Sequence, residues 1–62
     1  MKIITENIEK LKEIANLHAN DYDFGAVARR FLNHDKEVNK NIPNNHDLGV
    51  FIRGEIKKSL AS

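Results

Sequence analysis

Leu48-Gly49-Val50-Phe51-Ile52-Arg53-Gly54-Glu55-Ile56-Lys57-Lys58-Ser59-Leu60 is the stretch on which the fold class turns. Read at helical spacing, Leu48, Phe51, Ile52, Ile56 and Leu60 share one face, with Ser59 among them. Lys57 and Lys58 then sit in the last turns, where positive charge suits the helix dipole. Read at strand spacing, Gly49–Gly54 is a short β-prone run bounded by glycines, and it could pair with residues 1–4. Three features strain the helical reading. Gly49 and Gly54 each cost about 1 kcal/mol relative to alanine inside a helix. Glu55 projects between Leu48 and Phe51, into the apolar face, and Val50 projects to the polar side near Gly54 and Ala61.

The rest of the chain tips the balance toward helices. Ile4, Ile8, Leu11, Ile14, Ala15 and His18 recur at three- and four-residue spacing, and Ile3 and Leu17 widen that face. Thr5 is the expected N-cap, Glu6 and Lys10 make an i,i+4 pair, and Asn20–Asp23 supplies the stop. A second helix starts at a cap from Asp21 or Asp23 and places Phe24, Val27, Ala28, Phe31 and Leu32 inward. Asp35 falls on its apolar side, so either the helix ends near Asn33-His34 or only the core stripe ends there and Asp35 meets solvent; a helix to about Asp35, with 37–40 fraying, is the expected form. Residues 39–45 read as a loop around Pro43, with Ile42 plugging the bottom of the core, and Asn45 or Asp47 caps the third helix. The expected architecture is therefore an all-α, three-helix bundle over 5–19, 23–36 and 46–60, one domain spanning 1–62. Its alternative is an α+β fold with short strands near 1–4 and 49–53.

Sixty-two residues bury only roughly 60% of the surface their unfolded chain exposes. The sequence has no cysteine, which removes disulfides and thiolate metal sites as supports. That raises the expectation of a protein partner or self-association, including a homodimer, beside the alternative of a plain monomer with a well-packed core. Net charge is +1, from ten basic and nine acidic side chains, so no overall basic field draws in nucleic acid. No apolar run reaches membrane-spanning length, and the start lacks a signal peptide's apolar core; a cytoplasmic location is expected. Abundant Asn, Ile and Lys, favoured by AT-rich codons, point to a bacterial or phage source.

No arrangement of residues carries catalysis. His18, His34 and His46 lack metal-ligand spacing, although His34-Asp35 and His46-Asp47 are His-Asp pairs. His18 reads as a buried or half-buried structural histidine and His46 as part of a capping loop. Ser59 and Ser62 lie at the C-terminus with no base in sight, and no cofactor signature is present. The expectation is a non-enzyme without cofactor or metal.

Two binding surfaces remain. Val50, Phe51, Gly54, Glu55 and Lys58 form a candidate protein-binding surface on the third helix. There Glu55 must pair internally with Arg29, Arg30 or His18, mark an interface rim, or reach outward to solvent. Small residues at Gly54 and Ala61 would let another backbone come close. This reading loses its support if Phe51, Ile52 and Ile56 are all buried and no apolar side chain is left outside. The competing surface is nucleic-acid-binding: Arg29, Arg30 and Lys36 on the second helix, with Arg53 and Lys57 on the third. Asp23-Phe24-Gly25-Ala26-Val27-Ala28-Arg29-Arg30-Phe31 resembles the first helix of a helix-turn-helix. The resemblance covers those nine residues and departs downstream. That motif needs a turn of three or four residues before its recognition helix. Here about a dozen separate the second and third apolar segments.

Overall fold

The structure, a computed structural model, describes residues 1–61, with nothing drawn from the side chain of Ala61. The chain is all-α. It forms α1 (Lys2–Glu6), α2 (Ile8–Leu17), α3 (Asp21–Phe31), α4 (Lys36–Asn41) and α5 (Asn45–Ala61). The strand alternative is not taken up: residues 49–53 are helical, as are 2–4.

Each of the first two expected helices is split, and asparagine chemistry does the splitting. Asn7 leaves helical geometry at φ −112°, ψ 19° and donates its side-chain amide to the Ile3 carbonyl at 2.7 Å. A side chain that competes for backbone hydrogen bonds interrupts the helix. Thr5 therefore caps nothing; its hydroxyl turns back toward the Met1 carbonyl. With the break between them, Glu6 and Lys10 do not form the expected pair, and Lys10 sits 3.3 Å from Glu13 instead.

The second split is a built turn. Asn20, one residue before the expected caps, accepts from the amides of Tyr22 and Asp23 and starts α3. At the other end the amide of Asn33 donates to Arg30 and that of His34 to Arg29, each at 3.0 Å. Asn33 takes φ 57°. This crossed pair with a left-handed residue is the Schellman closure, which asparagine accepts more readily than other side chains. Asp35 then accepts from the amides of Glu37 and Val38 and caps α4. The carboxylate that fell on an apolar stripe is thus an N-cap. Residues 37–40 do not fray but form most of α4, and the loop shrinks to 42–44. Asn44, rather than Asn45 or Asp47, caps α5 by accepting from the Asp47 amide at 3.2 Å.

All five helices contribute to one core of Ile4, Leu11, Ile14, Phe24, Ala28, Leu32, Val38, Leu48, Ile52 and Ile56. Ile42 packs against it, as its position in the loop predicts. Leu32 rather than Phe31 takes the inward place at the end of α3, because the helix closes there; Phe31 is exposed. Leu17 and Leu60, assigned inward by periodicity, also lie outside.

The most extensive pairing is α3 against α5, running antiparallel. It is set by two glycines. A Cβ on Gly25 would stand 1.8 Å from the Asn45 carbonyl oxygen, and one on Gly49 would stand 2.1 Å from that of Asp21. Backbone touches backbone at both points, a proximity that only a residue without Cβ permits. The expected helix penalty at Gly49 is real, but it is offset by this packing. Gly54 differs: a Cβ there meets nothing within 4 Å.

Candidate interaction surface on α5

Arg29 and Arg53 hold the bundle together and frame what is left for binding. Arg29 is buried at 9% exposure. Its Nε donates to Asn45 Oδ1 at 2.8 Å, Nη1 to Asn39 Oδ1 at 2.6 Å and Nη2 to the Ile42 carbonyl at 2.7 Å. One guanidinium thus ties α3 to α4, to the loop and to the start of α5. All three partners are uncharged, so geometry and hydrogen bonding stabilise the ion. The sequence placed Arg29 on the polar face beside Arg30. The structure turns it inward, and it does not present a charge to a phosphate.

Arg53 Nε donates to Asp21 Oδ1 at 2.6 Å, and its Nη2 donates to the His18 carbonyl. Its guanidinium carbon lies 4.8 Å from the centroid of the Phe24 ring. It closes the α2–α3 turn onto α5. His46 flanks the same carboxylate, with Nε2 4.0 Å from Asp21 Oδ2. His18 is half-buried, as expected, and its contribution here is its backbone carbonyl.

Of the five residues assigned to nucleic acid, Arg30, Lys36 and Lys57 remain exposed, on α3, α4 and α5 respectively. The spacing reason against a helix-turn-helix also needs revision. Residues 32–35 form a short turn that leads directly into α4, although α4 has only six residues.

The candidate protein-binding residues divide between two sides of α5. Phe51 and Glu55 are half-buried, and Lys58 is exposed. Glu55 joins none of Arg29, Arg30 or His18. Its Oε2 lies 3.7 Å from Lys58 Nζ on the same helix, with its side chain 26% exposed beside Thr5 and Ile8. The other side carries Val50 and Gly54, both exposed, with Lys57 one turn on. Val50 is 48% exposed and Leu60 66%. Ile52 and Ile56 are buried, so the third helix completes the core and still leaves apolar side chains outside.

Between α2 and α5 runs an open groove of about 620 Å³. Ala15, Ile56 and Leu60 give it apolar walls, Gly54 opens its floor, and Lys12, Asn16, Arg53 and Lys57 edge it. Among the described residues, no aspartate or glutamate lines it. Sequence reasoning singled out Gly54 but not its partners on α2, because which face of α2 meets α5 is a tertiary fact.

Among the described residues, no group of three His, Cys, Asp or Glu is placed to hold a metal ion, and no helix is long and apolar enough to cross a membrane. No protein-family model matches the chain, and no curated protein or solved structure is significantly similar to it.

Proposed function

We propose that this protein is a small, non-enzymatic protein-interaction module, acting as a regulator or inhibitor that docks on a larger partner through α5. The observation that carries the reading is the outward strip Val50–Gly54–Lys57, with Leu60 beyond it. A helix that already supplies Leu48, Ile52 and Ile56 to the core has no folding reason to expose a valine and a leucine as well. Single exposed apolar residues are ordinary on a surface. Here they flank a glycine over open space, and such a gap accepts a side chain from another helix.

Site-specific photo-crosslinking in cells of the source organism tests this. A crosslinker at position 50 or 57 should give a discrete adduct of defined mass that the same group at Asn33 or Glu9 does not give. Equal, diffuse labelling from all four positions would sink the proposal.

A second reading, nucleic-acid binding, is favoured by one observation: the short turn that follows α3 and leads into α4. It rests on Arg30, Lys36 and Lys57. It requires affinity for DNA or RNA that falls steeply with added salt, and absence of binding at low salt would end it.

A further inference from the structure

We infer that the α2–α5 groove takes an acidic amphipathic helix from a different protein, rather than a second copy of this chain. The inference rests on the interaction reading above and names the chemistry of the partner.

Charge comes first. The polar edge of the groove is made of Lys12, Asn16, Arg53 and Lys57. Lys57 has no ion-pair partner among the described residues. Lys12, 32% exposed, is paired at 3.6 Å with Glu9, whose side chain is 85% exposed, and an ion pair with one partner so open to solvent is weak. Arg53 is the cation already committed, to Asp21. A ligand entering here meets the unpaired Lys57, a second ammonium at Lys12 held only by Glu9, and no carboxylate among the described lining residues. Carboxylates on the ligand's flanks are the complementary charge.

Self-pairing is disfavoured by the same groups. A two-fold contact along this groove would set Lys12 and Lys57 of one chain against the same residues of the other. Like charges across an interface oppose association. A symmetric dimer through this groove is therefore disfavoured, and the inferred occupant is a helix of a different protein.

Shape gives the rest. Ala15, Ile56 and Leu60 form walls that a row of aliphatic side chains can cover, and the space over Gly54 fits one such side chain. On α5 the lining runs from Arg53 to Leu60, about two helical turns. That length suits anchors spaced i, i+3, i+4 and i+7 on a docked helix.

Three synthetic helical peptides test the inference against the intact protein. One carries leucines at that spacing with glutamates on the flanks. The second has lysine in place of each glutamate. The third keeps the acidic composition but scatters the leucines. Binding is followed by fluorescence anisotropy and by amide chemical shifts of the isotopically labelled protein. The acidic amphipathic peptide should bind and move the resonances of Ala15, Gly54 and Leu60, and the other two should bind at least roughly tenfold more weakly. Lys57→Glu should weaken binding about tenfold. Gly54→Leu, which fills open space without touching the core, should abolish it. Overturning results are preference for the basic peptide, equal binding of all three, shifts confined to other surfaces, or no binding at all. If crosslinks from position 50 or 57 still capture a partner while the acidic peptide fails, the interaction reading stands and this inference alone falls.

Discussion

Replacing Gly25 with alanine is expected to cost this domain a large part of its stability. The added Cβ would lie 1.8 Å from the Asn45 carbonyl oxygen, 2.7 Å from its carbonyl carbon and 3.0 Å from the Gly49 amide nitrogen. All three are backbone atoms of α5, so no side chain can rotate away. Ordinary contact begins near 3.4 Å, and α3 and α5 would have to part by about 1.6 Å at that point. Phe24, Ala28, Leu48 and Ile52 are fully buried along the same two helices. Parting them by that distance forfeits much of the dispersion energy across the crossing. Overpacking of flexible cores costs roughly 1–3 kcal/mol, and an unyielding backbone contact puts this case at about 3 kcal/mol or above. A chain of this length has a total stability of roughly 3–9 kcal/mol. Urea unfolding followed by far-ultraviolet circular dichroism measures the loss. With a slope of about 1 kcal/mol per molar urea, the midpoint should fall by about 3 M, or the variant should be unfolded at the outset. Gly49→Ala should behave similarly, because its Cβ would stand 2.1 Å from the Asp21 carbonyl oxygen. Gly54→Ala is the control: it meets nothing, and it should stabilise the helix by up to about 1 kcal/mol. If Gly25→Ala and Gly49→Ala unfold within about 0.5 kcal/mol of the parent, a difference ordinary for surface substitutions, the close crossing is not what holds α3 to α5.

Three further outcomes follow from the same geometry. Arg29→Met removes three hydrogen bonds from a charged donor and leaves Asn39, Asn45 and the Ile42 carbonyl without that partner; relief of a buried charge offsets part of the loss. The net cost should be about 2 kcal/mol, with amide exchange accelerating in α4 more than in α3, and unchanged exchange in α4 would contradict the clamp. Asp35→Ala should cost about 1 kcal/mol and reduce helicity over 36–41, whereas unchanged α4 chemical shifts would refute the cap. His34 holds φ 52° without being glycine, so His34→Gly should be stabilising by up to about 1 kcal/mol in thermal unfolding. A clear loss would mean that its side chain makes a contribution outweighing the backbone relief.

The residues that bear on binding were unevenly legible. Val50 stood out as an apolar side chain on a polar face, and the structure leaves it exposed. Arg29 stood out only as a surface cation or a partner for Glu55, not as a buried clamp. On a helical wheel it is a neighbour of Arg30, and only the return of α4 and the loop over α3 surrounds it with acceptors. The same holds for Arg53, whose partners His18 and Asp21 lie 35 and 32 residues away in sequence. Glu55 drew notice as a misplaced carboxylate; its side chain is 26% exposed and lies 3.7 Å from Lys58 Nζ on the same helix.

By itself the sequence favoured a helical chain over a mixed one, and determined which positions of α2, α3 and α5 begin the core. Leu11, Ile14, Phe24, Ala28, Leu48, Ile52 and Ile56 all lie where periodicity assigns them, because the 3.6-residue repeat is a local property of the backbone. The tertiary structure alone decided three things. It put Gly25 and Gly49 at the backbone contact of α3 and α5 while leaving Gly54 over open space. It turned Arg29 inward, and it set α2 beside α5 so that a cation-edged groove lies between them. The physical reason is common to all three. Each place depends on which distant backbone passes: a glycine is indifferent to inside or outside, and an arginine, ordinarily exposed, is buried only where distant acceptors converge on it.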